Sequence, residues 1–315
     1  MSNFEINSNA GHHPLPVLDQ AAGLRRLKPA HPVRVIAVTS GKGGVGKTSV
    51  SVNLAVAMAL NGKQVMLLDG DLGLANIDVM LGLQPSYNLA HVLEGKCTLE
   101  DTLMTGPAGV MIVPASSGKR HMAELSSVEH AGLVRAFSDL HRPLDVLIID
   151  TAAGIADSVI TFSQASQEVI VVVTGDPTSL TDAYALIKVL NRDHGVERVQ
   201  VLANMVRDAS EAQSVYESLR RVAERFLDIT LSFIGGIPND EWLKRAVRRQ
   251  RSVVEAYPNC PASEAFRQLA RKADSWGMPA GARGNLEFFV ERLVNSPMPH
   301  LAMPPMAGSL AGAAS

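Results

Sequence analysis

The chain has 315 residues, 46% of them hydrophobic, and a formal net charge of −2. That length suffices for a full α/β core with tails, and the balance of charge argues against bulk electrostatic attraction to nucleic acid. Its two cysteines, Cys97 and Cys260, lie far apart and supply neither a disulfide framework nor a paired metal motif, which suits a reducing cytoplasm.

Residues 1–30 read as a polar, flexible N-terminal arm without the apolar stretch of a signal peptide. No segment approaches the roughly 18 apolar residues of a membrane span. The first buried strand is expected at 33–38, followed by Gly41-Lys-Gly-Gly-Val-Gly-Lys-Thr48 and a helix over 49–60. This is the phosphate-binding pattern G-x-x-x-x-G-K-[ST] between a strand and a helix, the context it requires. Glycines let backbone amides curl around phosphate oxygens, and the helix N-terminus adds a favourable dipole. Gly41, Lys42, Gly43, Gly44, Val45, Gly46, Lys47, Thr48 and Ser49 are therefore candidate nucleotide contacts. Lys47 is placed to neutralise the β- and γ-phosphates and the Thr48 hydroxyl to hold Mg²⁺.

Further strands are expected at 65–68, 110–113, 146–149, 169–173, 199–202 and 231–234, with helices at 127–140, 181–193, 211–226, 241–248 and 263–273. Near-continuous apolar strands separated by helix-length segments predict a mostly parallel sheet covered by helices on both faces. Asp69 and Asp71 end the second strand, and carboxylates there face the ligand crevice of an open α/β sheet. Four apolar residues running into Asp150 match the Walker-B pattern, in which a carboxylate binds Mg²⁺ through water. Thr48, Asp71 and Asp150 thus form an all-oxygen metal set, which suits a small hard cation. No Gln, Arg or His stands out as a dedicated base, so slow turnover dependent on a partner is expected.

After the core, 277–284 reads as a linker, 285–295 as a short helix and 296–315 as a disordered tail. Leu286, Phe289, Val290, Leu293 and Val294 fall at i, i+3, i+4, i+7 and i+8, one apolar stripe. Such a tethered helix can lie in a membrane interface or dock on the protein itself. The basic stretch Lys244, Arg245, Arg248, Arg249 and Arg251 reads as a solvated face or a partner-docking surface rather than a DNA contact, given the overall charge.

The second loop lysine, Lys42, is not demanded by the plain phosphate-loop pattern. With it the loop resembles that of the deviant-Walker ATPases, the MinD/ParA family, in which the extra lysine crosses an ATP-sandwich dimer. The resemblance implies a MinD-like P-loop NTPase domain over 31–276 that binds ATP with Mg²⁺, homodimerises and hydrolyses ATP with Lys42, Lys47 and Asp71 as catalytic residues. It implies that Asp69 supports the first switch, that Asp71 orients the attacking water and that Asn76 reports on the γ-phosphate. Residues 150–154 resemble the second switch, with Gly154 free to swing. Asn204 and the Pro238–Asp240 segment resemble the adenine side of the site.

Asp19-Gln20-Ala21 and Leu24-Arg25 are similar to an N-terminal segment of the flagellar number regulators FleN/FlhG. That likeness implies stimulation of an FlhF-type GTPase, control of flagellar number or placement, and a flagellar transcription factor as second partner. It also implies that 285–295 makes reversible peripheral contact with the inner membrane. A ParA-like DNA-partition ATPase is the alternative, although such a protein needs no membrane-type terminal helix. An iron–sulfur ATPase would need thiolates near the second switch, and an arsenite-pump ATPase a second phosphate loop.

Overall fold

The computed structural model describes residues 32–71, 76–114, 132, 135–137, 139–140 and 142–277. The expected N-terminal arm with its Asp19–Arg25 segment, most of the helix at 127–140, most of the linker, the helix at 285–295 and the tail lie outside the described residues. At 127–140, Gly132 and 135–137 are helical.

In chain order the elements are β1 (Arg34–Ser40), α1 (Lys47–Leu60), β2 (Val65–Gly70), α2 (Ile77–Leu81), α3 (Leu89–Leu93), α4 (Leu99–Thr102), β3 (Met104–Thr105) and β4 (Met111–Val113). They continue with β5 (Val146–Ala153), α5 (Asp157–Ala165), β6 (Glu168–Val173), α6 (Pro177–Arg192), β7 (Arg198–Val206), α7 (Ala209–Phe226), β8 (Thr230–Pro238), α8 (Glu241–Arg248), α9 (Val253–Ala256) and α10 (Pro261–Asp274). The strands form one eight-stranded sheet in the order β3-β4-β2-β5-β1-β6-β7-β8. Every pairing is parallel except that of the short β3 with β4.

The predicted fold is the one observed. Alternate residues of each central strand serve opposite cores, as the period of two in a strand requires. Ile36, Val38, Ile148, Ile170 and Val172 join the core beneath α1 and α10. Val35, Leu147 and Ile149 turn to one opposite cluster, and Val169, Val171 and Val173 to another beneath α6 and α7. Because both faces are covered, these strands read as unbroken apolar runs rather than alternating ones.

Five strands outrun their expected ends, β1 and β2 by two residues each and the other three by four. β5 continues through Asp150 to Ala153, and β7 and β8 pair as far as Val206 and Pro238. Hydropathy stops at the last apolar residue, whereas the backbone ladder continues for as long as a neighbour offers a partner. Asp150 and Asn204 accordingly lie within strands, not in the loops beyond them. Helix α5 has no periodic signal because Val159, Ile160 and Thr161 are β-branched and weak helix formers. It forms because Val159, Ile160 and Phe162 are buried against the sheet, an example of tertiary packing overriding propensity.

Candidate nucleotide site

The strand order places the second strand, β5 and β1 side by side, so the loops leaving their C-terminal ends converge. The loop after β1 wraps the N-terminus of α1, with Gly44 and Gly46 at φ 81° and 86°. Side chains rarely adopt that region, so glycine is required there. Gly41 answers a different need: a Cβ there would stand 2.1 Å from the backbone carbon of Asp182 in α6. Gly41 is glycine so that α6 can pack against the loop. Val45 is 4% exposed and belongs to the core under α1. Both were expected as nucleotide contacts, and neither lines the cleft.

The cleft itself measures about 800 Å³, a size typical of cofactor sites. Lys42, Gly43, Gly44, Gly46, Lys47, Thr48 and Ser49 line its phosphate end. Asp71 and Asn76 line the switch side, and Asn204, Pro238 and Asp240 the opposite wall. Sequence reasoning missed the rest of that wall: Leu243, Lys244, Val247 and Arg248 of α8, together with Val79 and Met80 of α2. Lys244 and Arg248 are part of the basic stretch expected to face solvent, and the structure brings them to the cleft. The helical period of 241–248 carried a usable signal, since Lys244, Val247 and Arg248 share one face at i, i+3 and i+4.

Beneath the loop lies a buried charged cluster. Lys47 Nζ donates to Asp150 Oδ1 at 2.8 Å, and Ser51 Oγ donates to the same oxygen at 2.8 Å. Asp150 is fully buried and its Oδ2 has no hydrogen-bond partner. Asp150, expected to hold Mg²⁺ through water, is buried inside β5, next to Asp69 of β2. Burial, and then the neighbouring charge of Asp150, push the Asp69 carboxyl up to about 7. Three amides oppose that shift: Asp71 N donates to Oδ1 at 3.1 Å, and Asn76 N and Ile77 N donate to Oδ2 at 3.0 and 3.2 Å. Asp69 therefore pins both ends of the loop carrying Asp71, the supporting role expected of it. Asn76 Nδ2 approaches Asp71 Oδ2 at 3.5 Å. Gly154, at φ 91°, donates its amide to Ser40 O at 2.8 Å, tying the end of β5 to the start of the phosphate loop.

Lys42 rests on α6: its Nζ donates to Asp176 Oδ2 at 3.1 Å and to Thr178 Oγ1. The ammonium, and then the Thr178 hydroxyl, hold Asp176 below the usual carboxylate range. Asn204 Nδ2 donates to Val45 O at 2.7 Å, while its buried Oδ1 has no partner. Asp240 accepts from Trp242 N at 2.8 Å and Ala262 N at 3.0 Å. Its carboxylate thus caps α8 and tethers the start of α10, which leaves its backbone as the part that can serve a nucleotide.

The donor set tests well against the expected ligands. A glycine loop with a buried lysine at a helix N-terminus suits a phosphate chain. The Thr48 hydroxyl, the Asp71 carboxylate and the unpartnered Asp150 Oδ2 are hard oxygen donors of the kind Mg²⁺ prefers. Among the described residues no three His, Cys, Asp or Glu side chains cluster as a metal cage.

A central sheet of this order with this loop defines a P-loop NTPase of the deviant-Walker class. The ParA family model, described as "NUBPL iron-transfer P-loop NTPase", matches residues 32–274, and the chain belongs to that ParA/MinD family. It is 58% identical over 274 residues to the antiactivator FleN of Pseudomonas aeruginosa, covering 87% of this chain and 98% of that protein. It is 35% identical to the flagellum site-determining protein YlxH of Helicobacter pylori, covering 75% and 80% of the two chains. Among solved structures it is similar to the cell division ATPase MinD of Pyrococcus furiosus, at TM-score 0.62, 25% identity and 76% and 98% coverage. The septum site-determining protein MinD of Pyrococcus horikoshii, solved with Mg-ADP, gives TM-score 0.62, 26% identity and 77% and 96% coverage. The chain's two cysteines, Cys97 and Cys260, form no disulfide and lie too far apart in sequence to make a CxxC pair.

Proposed function

We propose that the chain is a switch ATPase that dimerises around ATP and Mg²⁺ and regulates the number or placement of flagella. The observation that carries this reading is the convergence of Lys42, Lys47, Thr48, Asp71 and Asn76 on one cleft in a relative of FleN and YlxH. ATP would compete with Asp150 for Lys47, because a phosphate chain presents more negative charge to the ammonium than one carboxylate does. Mg²⁺, held by Thr48 and Asp71 and reached from Asp150 only through water, would neutralise charge between the phosphates. Asp71 orients the attacking water, and Asn76 links its position to the γ-phosphate. Lys42, half-buried and held at the surface by Asp176 and Thr178, is the cation able to leave its seat and reach a facing subunit. Solvent-screened pairs of that kind contribute little, so the release costs little.

Downstream, the segment Asp19–Arg25 engages an FlhF-type GTPase, and a flagellar transcription factor is the second partner. The 285–295 helix gives reversible contact with the inner membrane. No helix among the described residues is long and apolar enough to cross one. The test is to count flagella in a deletion strain carrying the wild-type, Lys42→Ala or Asp71→Ala gene. The two variants should fail to restore the wild-type number. Normal numbers in the deletion strain itself would overturn the flagellar reading.

A further inference from the structure

Outside the cleft, the densest unassigned chemistry is on the outer side of α8 and the turn after α9. Trp242 is 44% exposed, unusual for so large an apolar surface unless something covers it. The Arg245 guanidinium lies over its indole, 4.8 Å from the ring centroid. The Tyr257 ring packs on it at 4.8 Å and 48°. Arg249 Nη1 donates to the Tyr257 hydroxyl at 2.9 Å. Beside this stack is a pit of about 360 Å³ lined by Trp242, Ala256, Tyr257, Pro258, Asn259 and Cys260. Of the cations in 241–255, Lys244 and Arg248 line the cleft, and Arg245, Arg249 and Arg251 remain for this surface, against Glu241 and Glu255.

We propose that this surface docks an acidic segment of a partner protein, with one apolar side chain of that segment seated in the pit beside Trp242. Contact with the Trp242 ring restrains Arg245, so less freedom is lost when its planar N–H fork meets a carboxylate. An exposed Trp ringed by Arg and Tyr has the composition of an interface hot spot. Charge complementarity selects the partner's sign, and the pit selects a protein over a nucleic acid. A phosphate backbone offers no apolar group to fill the pit. It would also meet Glu241, paired with Lys244 at 2.7 Å, and Glu255, paired with Arg251 at 3.3 Å, within the same patch. Neither Trp242 nor Arg245 lines the nucleotide cleft, so the inference stands apart from the ATPase reading.

The test is selection of a displayed library of short random peptides on the full-length protein, followed by titration of the enriched peptides. They should carry Asp or Glu around one aromatic or aliphatic residue. Arg245→Glu and Arg249→Glu should each weaken them by about tenfold or more, while Arg245→Lys, which keeps charge and loses the planar fork, falls between. Melting curves of the variants, matched to wild type, exclude unfolding as the cause, and Trp242→Phe provides a second probe of the pit. Peptides enriched without acidic residues would overturn the proposal. So would equal binding to both Glu variants, or displacement of the peptides by short duplex DNA at lower concentration.

Discussion

Lys47→Met should destabilise the nucleotide-free protein as well as abolish nucleotide binding. Lys47 Nζ and Asp150 Oδ1 are 2.8 Å apart, with side chains 9% and 0% exposed. At an effective dielectric constant of about 20, Coulomb's law gives an attraction of about 6 kcal/mol at that separation, from which desolvation of both groups subtracts. Removing one member of such a buried pair costs about 3–5 kcal/mol, because the other is left uncompensated. Little nearby takes up the charge. Ser51 already donates its one hydrogen bond, Oδ2 has no partner, and Asp69 adjoins on β2. We expect a loss of about 4 kcal/mol, a downward shift of the urea midpoint by about 1 M or more for a domain of this size. Asp150→Asn should cost a similar amount. The double variant should lose less than the sum of the two by about 2 kcal/mol or more, since neither charge is then stranded. Urea titrations followed by circular dichroism, without nucleotide, measure all four proteins. Strictly additive losses, or an unchanged midpoint for Lys47→Met, would refute the buried pair.

With ATP and Mg²⁺, Asp71→Ala should elute as a stable dimer in size-exclusion chromatography and Lys42→Ala as a monomer; a Lys42→Ala dimer indistinguishable from wild type would rule out the sandwich. Asp69, raised to about 7 from an ordinary value of 3.8, gives a pH signature. Between those values the unfolded chain has lost the proton that the native state keeps, so the stability contributed at low pH is lost as pH rises. Wild type should therefore weaken relative to Asp69→Asn by up to about 4 kcal/mol from pH 4 to pH 7 and then level off. Parallel urea midpoints for the two proteins across that range would show that Asp69 titrates normally. Gly41→Ala would place its Cβ 2.1 Å from the Asp182 carbon and 2.4 Å from the Ala183 nitrogen, and backbone cannot yield as a side chain tip can. A loss of about 3 kcal/mol or more in thermal unfolding is expected, with weaker nucleotide binding; wild-type stability would mean that α6 does not approach so closely.

The phosphate loop and the parallel sheet were legible in the sequence because each is written in adjacent residues. Gly41 to Thr48 form one contiguous loop, and a strand buried on both faces shows as an uninterrupted apolar run. By contrast, the Lys47–Asp150–Ser51 cluster, the bond from Asn204 to Val45 and the resting place of Lys42 on Asp176 join residues far apart in the chain. They exist only because β1 is inserted between β5 and β6, a choice of strand order to which hydrophobic periodicity is blind. The same order extends β5 and β7 past their apolar residues, because a parallel neighbour supplies backbone partners for polar residues too. Which face of α8 turned to the cleft was likewise decided by packing. Sequence thus determined the local machinery for phosphate, while tertiary structure decided which charges that machinery must displace to work.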